Sequence, residues 1–168
     1  MPVLAIALAA AAAATGAAHE PPWLRRPAIS GTQGDARVVA REWRRAENRS
    51  TCAPMSFNSI RFLTAGARPR AAFFSGGWGV AWDLPGRRSA FGIAGAGVEA
   101  EPGDITRWPN VIRWRGGSAA GYGLEGDTGP GYLAYVRVAG QRCLYNVWSS
   151  VSRRHLQVLI GQMRRVRP

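Results

Sequence analysis

Residues 71–83 read AAFFSGGWGVAWD, and the side-chain period across them decides the fold. Taken alternately, Ala72, Phe74, Gly76, Trp78, Val80 and Trp82 form one series, while Phe73, Ser75, Gly77, Gly79, Ala81 and Asp83 form the other. Successive side chains of a strand point to opposite faces, so the first series offers bulky apolar groups to a core and the second offers mostly small ones. The stretch therefore reads as a strand with Trp78 and Trp82 on its buried face. Its glycines mark a close approach, best explained by a packed helix. Pro85 and Gly86 suit the central positions of a type II turn. SAFGIAGAGV, residues 89–98, then returns as a second strand.

The same period continues downstream. VIRWR (111–115) and AAGYGLEG (119–126) read as strands around Gly116-Gly117, and GYLAYVRV (131–138) pairs with RCLYNVWS (142–149) around Ala139-Gly140-Gln141. Outside this block the period is helical. Val39, Trp43 and Ala46 form one stripe over about 35–47 behind Asp35 as N-cap, with Asn48 placed to close the helix. Leu156, Leu159, Ile160 and Met163 form another stripe behind Ser152, and the C-terminal arginines sit where a helix dipole favours cations. SFNSIRFL (56–63) fits a helical turn or a short strand. The expected fold class is α+β: an antiparallel meander sheet of five or six strands, with an N-terminal and a C-terminal helix packed on one face.

The ends and the bulk numbers bound the biology. Residues 1–18, MPVLAIALAAAAAATGAA, are small and apolar and precede a charged, proline-bearing HEPPWLRRP. They read as a secretory signal peptide, although no Arg or Lys precedes the apolar run. Residues 19–34 then form an extended N-terminal segment and 35–168 a single domain. Cys52 and Cys143 are the only cysteines. Export makes one disulfide between them the expected state, closing a loop of about 90 residues worth roughly 4 kcal/mol in the chain-entropy model. The expected location is periplasmic or extracellular.

The net charge is +12, and all 22 basic residues are arginine. Absence of lysine beside abundant Ala, Gly, Pro and Trp points to GC-rich codon bias and a bacterial source. The positive field still attracts an anionic glycan, a lipid head group or another envelope component, with nucleic acid disfavoured by export.

No motif names a reaction or requires a cofactor. EGDTGPG, residues 125–131, echoes the nucleophile turn of chymotrypsin-like proteases but has Thr128 in place of serine and too little chain for two barrels. It reads as a loop. GYGLEG (121–126) matches the dinucleotide fingerprint in form only, because Asp-Thr-Gly-Pro-Gly follows it instead of a helix start. Glu99, Glu101 and Asp104 cluster at uneven spacing, which suits pairing with arginine better than a metal. His155, beside Arg153 and Arg154, is the one imidazole of the expected 35–168 domain. With a carboxylate such as Asp127 it would serve as a general base, which gives a small hydrolase as the alternative reading. The leading reading is a non-enzymatic binding domain that holds an anionic partner through Arg113, Arg115 and Arg137 beside Tyr135 and Trp148. Aromatic faces flanked by guanidinium groups can stack on a ring and hold its acidic substituents.

Overall fold

The structure is a computed structural model that describes residues 19–58, 65–96, 99, 101–126 and 131–168. In chain order its strands are β1 (Ile29–Ser30), β2 (Met55–Phe57), β3 (Arg68–Ala71), β4 (Trp78–Leu84), β5 (Arg87–Gly95), β6 (Asn110–Arg113), β7 (Ala119–Leu124), β8 (Tyr132–Arg137), β9 (Leu144–Ser149) and β10 (Met163–Arg167). Its α-helices are α1 (Ala36–Arg45), α2 (Pro102–Thr106) and α3 (Arg153–Gly161). Among the described residues, seven strands form an antiparallel sheet in the order β3-β4-β5-β9-β8-β7-β6. A second sheet runs β1-β10-β2, with β1 parallel and β2 antiparallel to β10.

The α+β class stands, but the single meander of five or six strands does not. Two meanders, β3-β4-β5 and β6-β7-β8-β9, are joined edge to edge where β5 pairs with β9. The chain leaves β5 in mid-sheet and starts again at the far edge, so the segment 96–109 must cross a whole half-sheet. It carries α2, started by Glu101, whose N–H donates to the Asp104 carboxylate at 3.0 Å.

The expected C-terminal helix is also corrected. It ends at Gly161, and Met163, Arg164, Arg165 and Arg167 lie on β10 instead. Met163 pairs with Phe57 and Val166 with Ile29, so nonlocal pairing satisfies this backbone and overrides the helical spacing. Ser152 does cap α3, its hydroxyl accepting the His155 N–H at 3.0 Å. Asp35 precedes α1, yet makes no capping bond: its carboxylate accepts the Trp82 indole N–H at 2.9 Å and so ties α1 to β4.

The core lies between the seven-stranded sheet and a layer made by α1, α3 and the small sheet. Trp78, Val80 and Trp82 face it, as alternation required, and are at most 2 % exposed. Trp82 stacks on Phe91 with centroids 5.4 Å apart, and Phe57 leans on both rings. Each buried indole removes about 200 Å² from water, roughly 5 kcal/mol of gross hydrophobic drive. Leu156, Leu159 and Ile160 of α3 and Val39 of α1 enter the same cluster, so both helices do share one face of the sheet. Trp23 is buried edge-on against Trp114, which draws the N-terminal segment onto this layer. Arg164 holds it there: Nη1 donates to the Pro22 and Met163 carbonyls, each at 2.7 Å. Cys52 and Cys143 form a disulfide with Cα atoms 5.4 Å apart. Among the described residues, no helix is long and apolar enough to cross a membrane.

Candidate functional site

The opposite face of the large sheet carries a second, smaller apolar cluster: Ala81, Ala94, Leu133 and Trp148, with Ala72, Phe74, Trp108 and Tyr135 packed against it. Pairing explains its membership. Gly92 lies opposite Trp148, Leu133 opposite Trp148, and Gly121 opposite Tyr135, so these positions share one side. Small residues leave the backbone bare, and rings lie on it. The Trp148 indole covers Gly92, and Phe74 covers Gly79, where a Cβ would meet Phe74 Cε2 at 2.8 Å. Over Gly121 the Ile105 carbonyl and Trp108 come down from the crossing segment.

Between these two covers lies a cleft of about 310 Å³ lined by Phe74, Ser89, Glu125, Leu133, Tyr135, Asn146 and Trp148. Trp148 and Leu133 form its floor and are nearly closed off beneath it, while Phe74 and Tyr135 are half-buried walls. Phe74 leans on Trp148 with centroids 5.9 Å apart, and Trp108 meets Tyr135 edge-on at 5.4 Å. The Arg107 guanidinium carbon lies 5.1 Å from the Tyr135 ring centroid, a cation–π contact that puts a positive group on the rim.

Three polar residues line the cleft. Ser89 is the one non-glycine residue with positive φ (50°) among the described residues. It is held there because its N–H donates to Asp83 Oδ1 at 2.6 Å and its hydroxyl accepts from Arg70. Arg70 Nε also spans both Asp83 oxygens at 3.0–3.1 Å. The Ser89 N–H and the Arg70 guanidinium keep the Asp83 carboxyl below its ordinary value, against a smaller opposing effect of burial. With its oxygen already accepting from Arg70, the Ser89 hydroxyl keeps its own proton to donate. Asn146 Oδ1 is buried without a hydrogen-bond partner, and Glu125 adds a carboxylate at the end of β7.

The expected binding residues divide cleanly. Tyr135 and Trp148 meet in the cleft. Arg137 follows Tyr135 by two residues on β8 and shares its face, and Arg113 lies in the same register row through Ala119. Arg137 Nη2 donates to the Gly117 carbonyl at 3.0 Å, which orients it. Arg115 does not join them: it lies in the turn between β6 and β7, where its N–H bonds the His19 carbonyl at 3.0 Å. Of the acidic cluster, Asp104 is engaged by the Glu101 N–H and by Arg107 at 3.4 Å.

His155 lies elsewhere, in the first turn of α3 and on the core side of the sheet. Its Nδ1 is 2.8 Å from Ser149 Oγ, and its ring meets Phe91 edge-on at 5.0 Å. Asp127, its expected acidic partner, lies outside the described residues, as do Thr128, Gly129 and Pro130. A Ser–His hydrogen bond is the usual start of a nucleophile–base pair. Ser149, however, is 0 % exposed and its hydroxyl already accepts the Val151 N–H at 3.1 Å. The geometry suits a tie between β9 and α3.

Burial pushes the His155 imidazole below its ordinary 6.5. The unfolded chain then binds more protons than the folded one between that lowered value and 6.5, so stability rises with pH there. Urea midpoints are expected to hold between pH 8 and 7 and to fall as pH drops below 6.5. The H155Q variant should flatten that fall, whatever its own stability. An equal slope in both proteins would remove His155 as the cause.

Phe74, Ser89, Glu125, Leu133 and Asn146 are the cleft residues that the sequence did not single out as binding residues. Their convergence depends on strand order and on the β3–β4 turn. The one local hint was the glycines of 76–79, which mark a close approach without saying what approaches. Comparison of the chain with protein-family models, with curated proteins and with solved structures finds no match.

Proposed function

We propose that this chain is an exported bacterial binding domain that holds an anionic partner on the second face of its large sheet, in the periplasm or outside the cell. The observation that carries the reading is that Tyr135 and Trp148 share that face with Arg107, Arg113 and Arg137. Aromatic rings supply contact area, and the guanidinium groups supply charge on a chain of net charge +12. The Cys52–Cys143 disulfide fits an oxidising compartment. A glycan and a lipid head group would both present the acidic groups that this rim attracts.

The test is salt-dependent binding. Dextran sulfate and phosphatidylglycerol vesicles, titrated separately, should each lose about tenfold in affinity between 50 and 300 mM salt if they use this face, since the Debye length shortens from about 14 to about 6 Å. R113A/R137A should weaken binding by about five- to tenfold, roughly 1 kcal/mol, and flatten the salt slope. Binding indifferent to both salt and these arginines would end the proposal.

A second reading, a small hydrolase using His155 with an acidic partner from the Asp127 loop, draws on the Ser149–His155 hydrogen bond. Ester turnover abolished by H155Q in a folded protein would favour it.

A further inference from the structure

We propose that the cleft lined by Phe74, Tyr135, Trp148, Ser89, Asn146 and Glu125 is a saccharide subsite that takes one sugar ring of an acidic glycan. This deepens the binding reading above and rests on it for the acidic part of the ligand. A cleft of 310 Å³ is at the small end of ligand sites, matched to a single ring and not to a chain of rings.

The polar groups define the chemistry of the occupant. Asn146 Oδ1 and the Glu125 carboxylate are acceptors, and the Ser89 hydroxyl has a proton to give. A ligand that fills the cleft must therefore present both donors and an acceptor close together, beside a flat apolar face for the aromatic floor and walls. A pyranose has that pattern: C–H groups across the ring face and hydroxyls around its edge. An acyl chain would satisfy the rings but leave Asn146 Oδ1 buried and unpaired, a continuing penalty. A cationic amine would suit the acceptors, but it would enter against Arg107 and a field of +12. An acidic group inside the cleft would face Glu125. The acidic substituent belongs outside, on the Tyr135 side, where Arg107 sits over the ring and Arg137 follows on the same strand face. A neutral ring within and a carboxylate or sulfate at the rim meet both demands.

The experiment titrates the purified chain with neutral oligosaccharides (cello- and chito-oligomers) and with oligouronates, following tryptophan fluorescence and heat. Neutral sugars are expected to bind weakly, with no salt dependence, and oligouronates about tenfold tighter, with that gain lost at 300 mM salt. N146A should weaken both classes about tenfold, while R113A/R137A should affect the oligouronates alone. Y135A removes the ring that walls the cleft and should weaken both classes, with Y135F retaining more affinity than Y135A. If neither sugar class binds while dextran sulfate still does, the subsite is wrong and the anionic reading survives. If neutral sugars bind and no polyanion does, the subsite stands and the anionic reading fails. Octanoate that protects the cleft in a chain indifferent to all sugars would replace the saccharide with an acyl ligand and overturn the proposal.

Discussion

The C52A/C143A variant is expected to unfold with about 4 kcal/mol less free energy than the parent, and to melt roughly 8–15 °C lower. The disulfide joins residues 91 apart, so it removes many conformations from the unfolded chain. Its loss should not open the folded structure locally, because hydrogen bonds hold the same two segments together. The Tyr145 hydroxyl shares its one proton between two acceptors, the Ala53 carbonyl at 2.8 Å and Gln141 Oε1. The Ala53 N–H reaches Gln141 Oε1 at 2.7 Å, and the Arg142 N–H reaches the Thr51 carbonyl at 3.1 Å. Burial drives the Tyr145 phenol well above its ordinary value, so it stays protonated and continues to donate at any working pH. The variant should therefore keep its near-ultraviolet circular dichroism at 25 °C while its denaturation midpoint falls. A loss under 1 kcal/mol would mean that the unfolded chain already keeps these segments close. Loss of the near-ultraviolet signal would mean that the bond holds native packing directly.

The alternation in 71–83 was enough to place Trp78, Val80 and Trp82 in the core, because strand geometry leaves only two faces. It misplaced Phe74. Counted in register, Phe74 belongs with Trp78, but β3 ends at Ala71 and β4 starts at Trp78, with Gly76 at φ 67° between them. The turn resets the parity and sends Phe74 to the opposite face, onto Gly79. The same break explains why Gly79 meets the Phe74 ring where the sequence suggested a helix, while Gly77 meets the Gly95 carbonyl of the neighbouring strand. Tyr135, Arg137 and Trp148 could be assigned to one set by alternation within a hairpin, since pairing there is local. Ser89 and Asn146 could not, because they meet only after β5 pairs with β9 across about fifty residues of intervening chain. The crossing of 96–109 leaves no periodic trace, and its acidic residues read as an exposed connection. At the C-terminus, Met163 satisfies both a helical stripe and a buried strand position, so local spacing had no means of choosing.

Gly92→Ala is the strongest single test of that second face. A Cβ at this position would overlap the six-membered ring of the Trp148 indole. The backbone cannot retreat, because β5 is paired on both sides, with Ala81 opposite Gly92 on β4 and Trp148 opposite it on β9. The indole must therefore leave its seat, and the neighbours Phe74 and Leu133 lose their packing with it. Overpacking of this kind costs typically 1–3 kcal/mol, and a blocked retreat puts G92A at about 3 kcal/mol. The displaced indole should shift tryptophan emission to the red and abolish the saccharide binding proposed for the cleft. Gly126, where a Cβ would meet nothing within 4 Å, supplies the control: G126A should stay within about 0.5 kcal/mol of the parent. A double-mutant cycle isolates the cause. W148A leaves a void of its own and costs about 3–5 kcal/mol, but in that background the added methyl has room, so G92A should then change stability by less than about 1 kcal/mol. Additive losses would show that the penalty arises in the β5 backbone and that the indole does not lie on Gly92, which would take the floor of the cleft away.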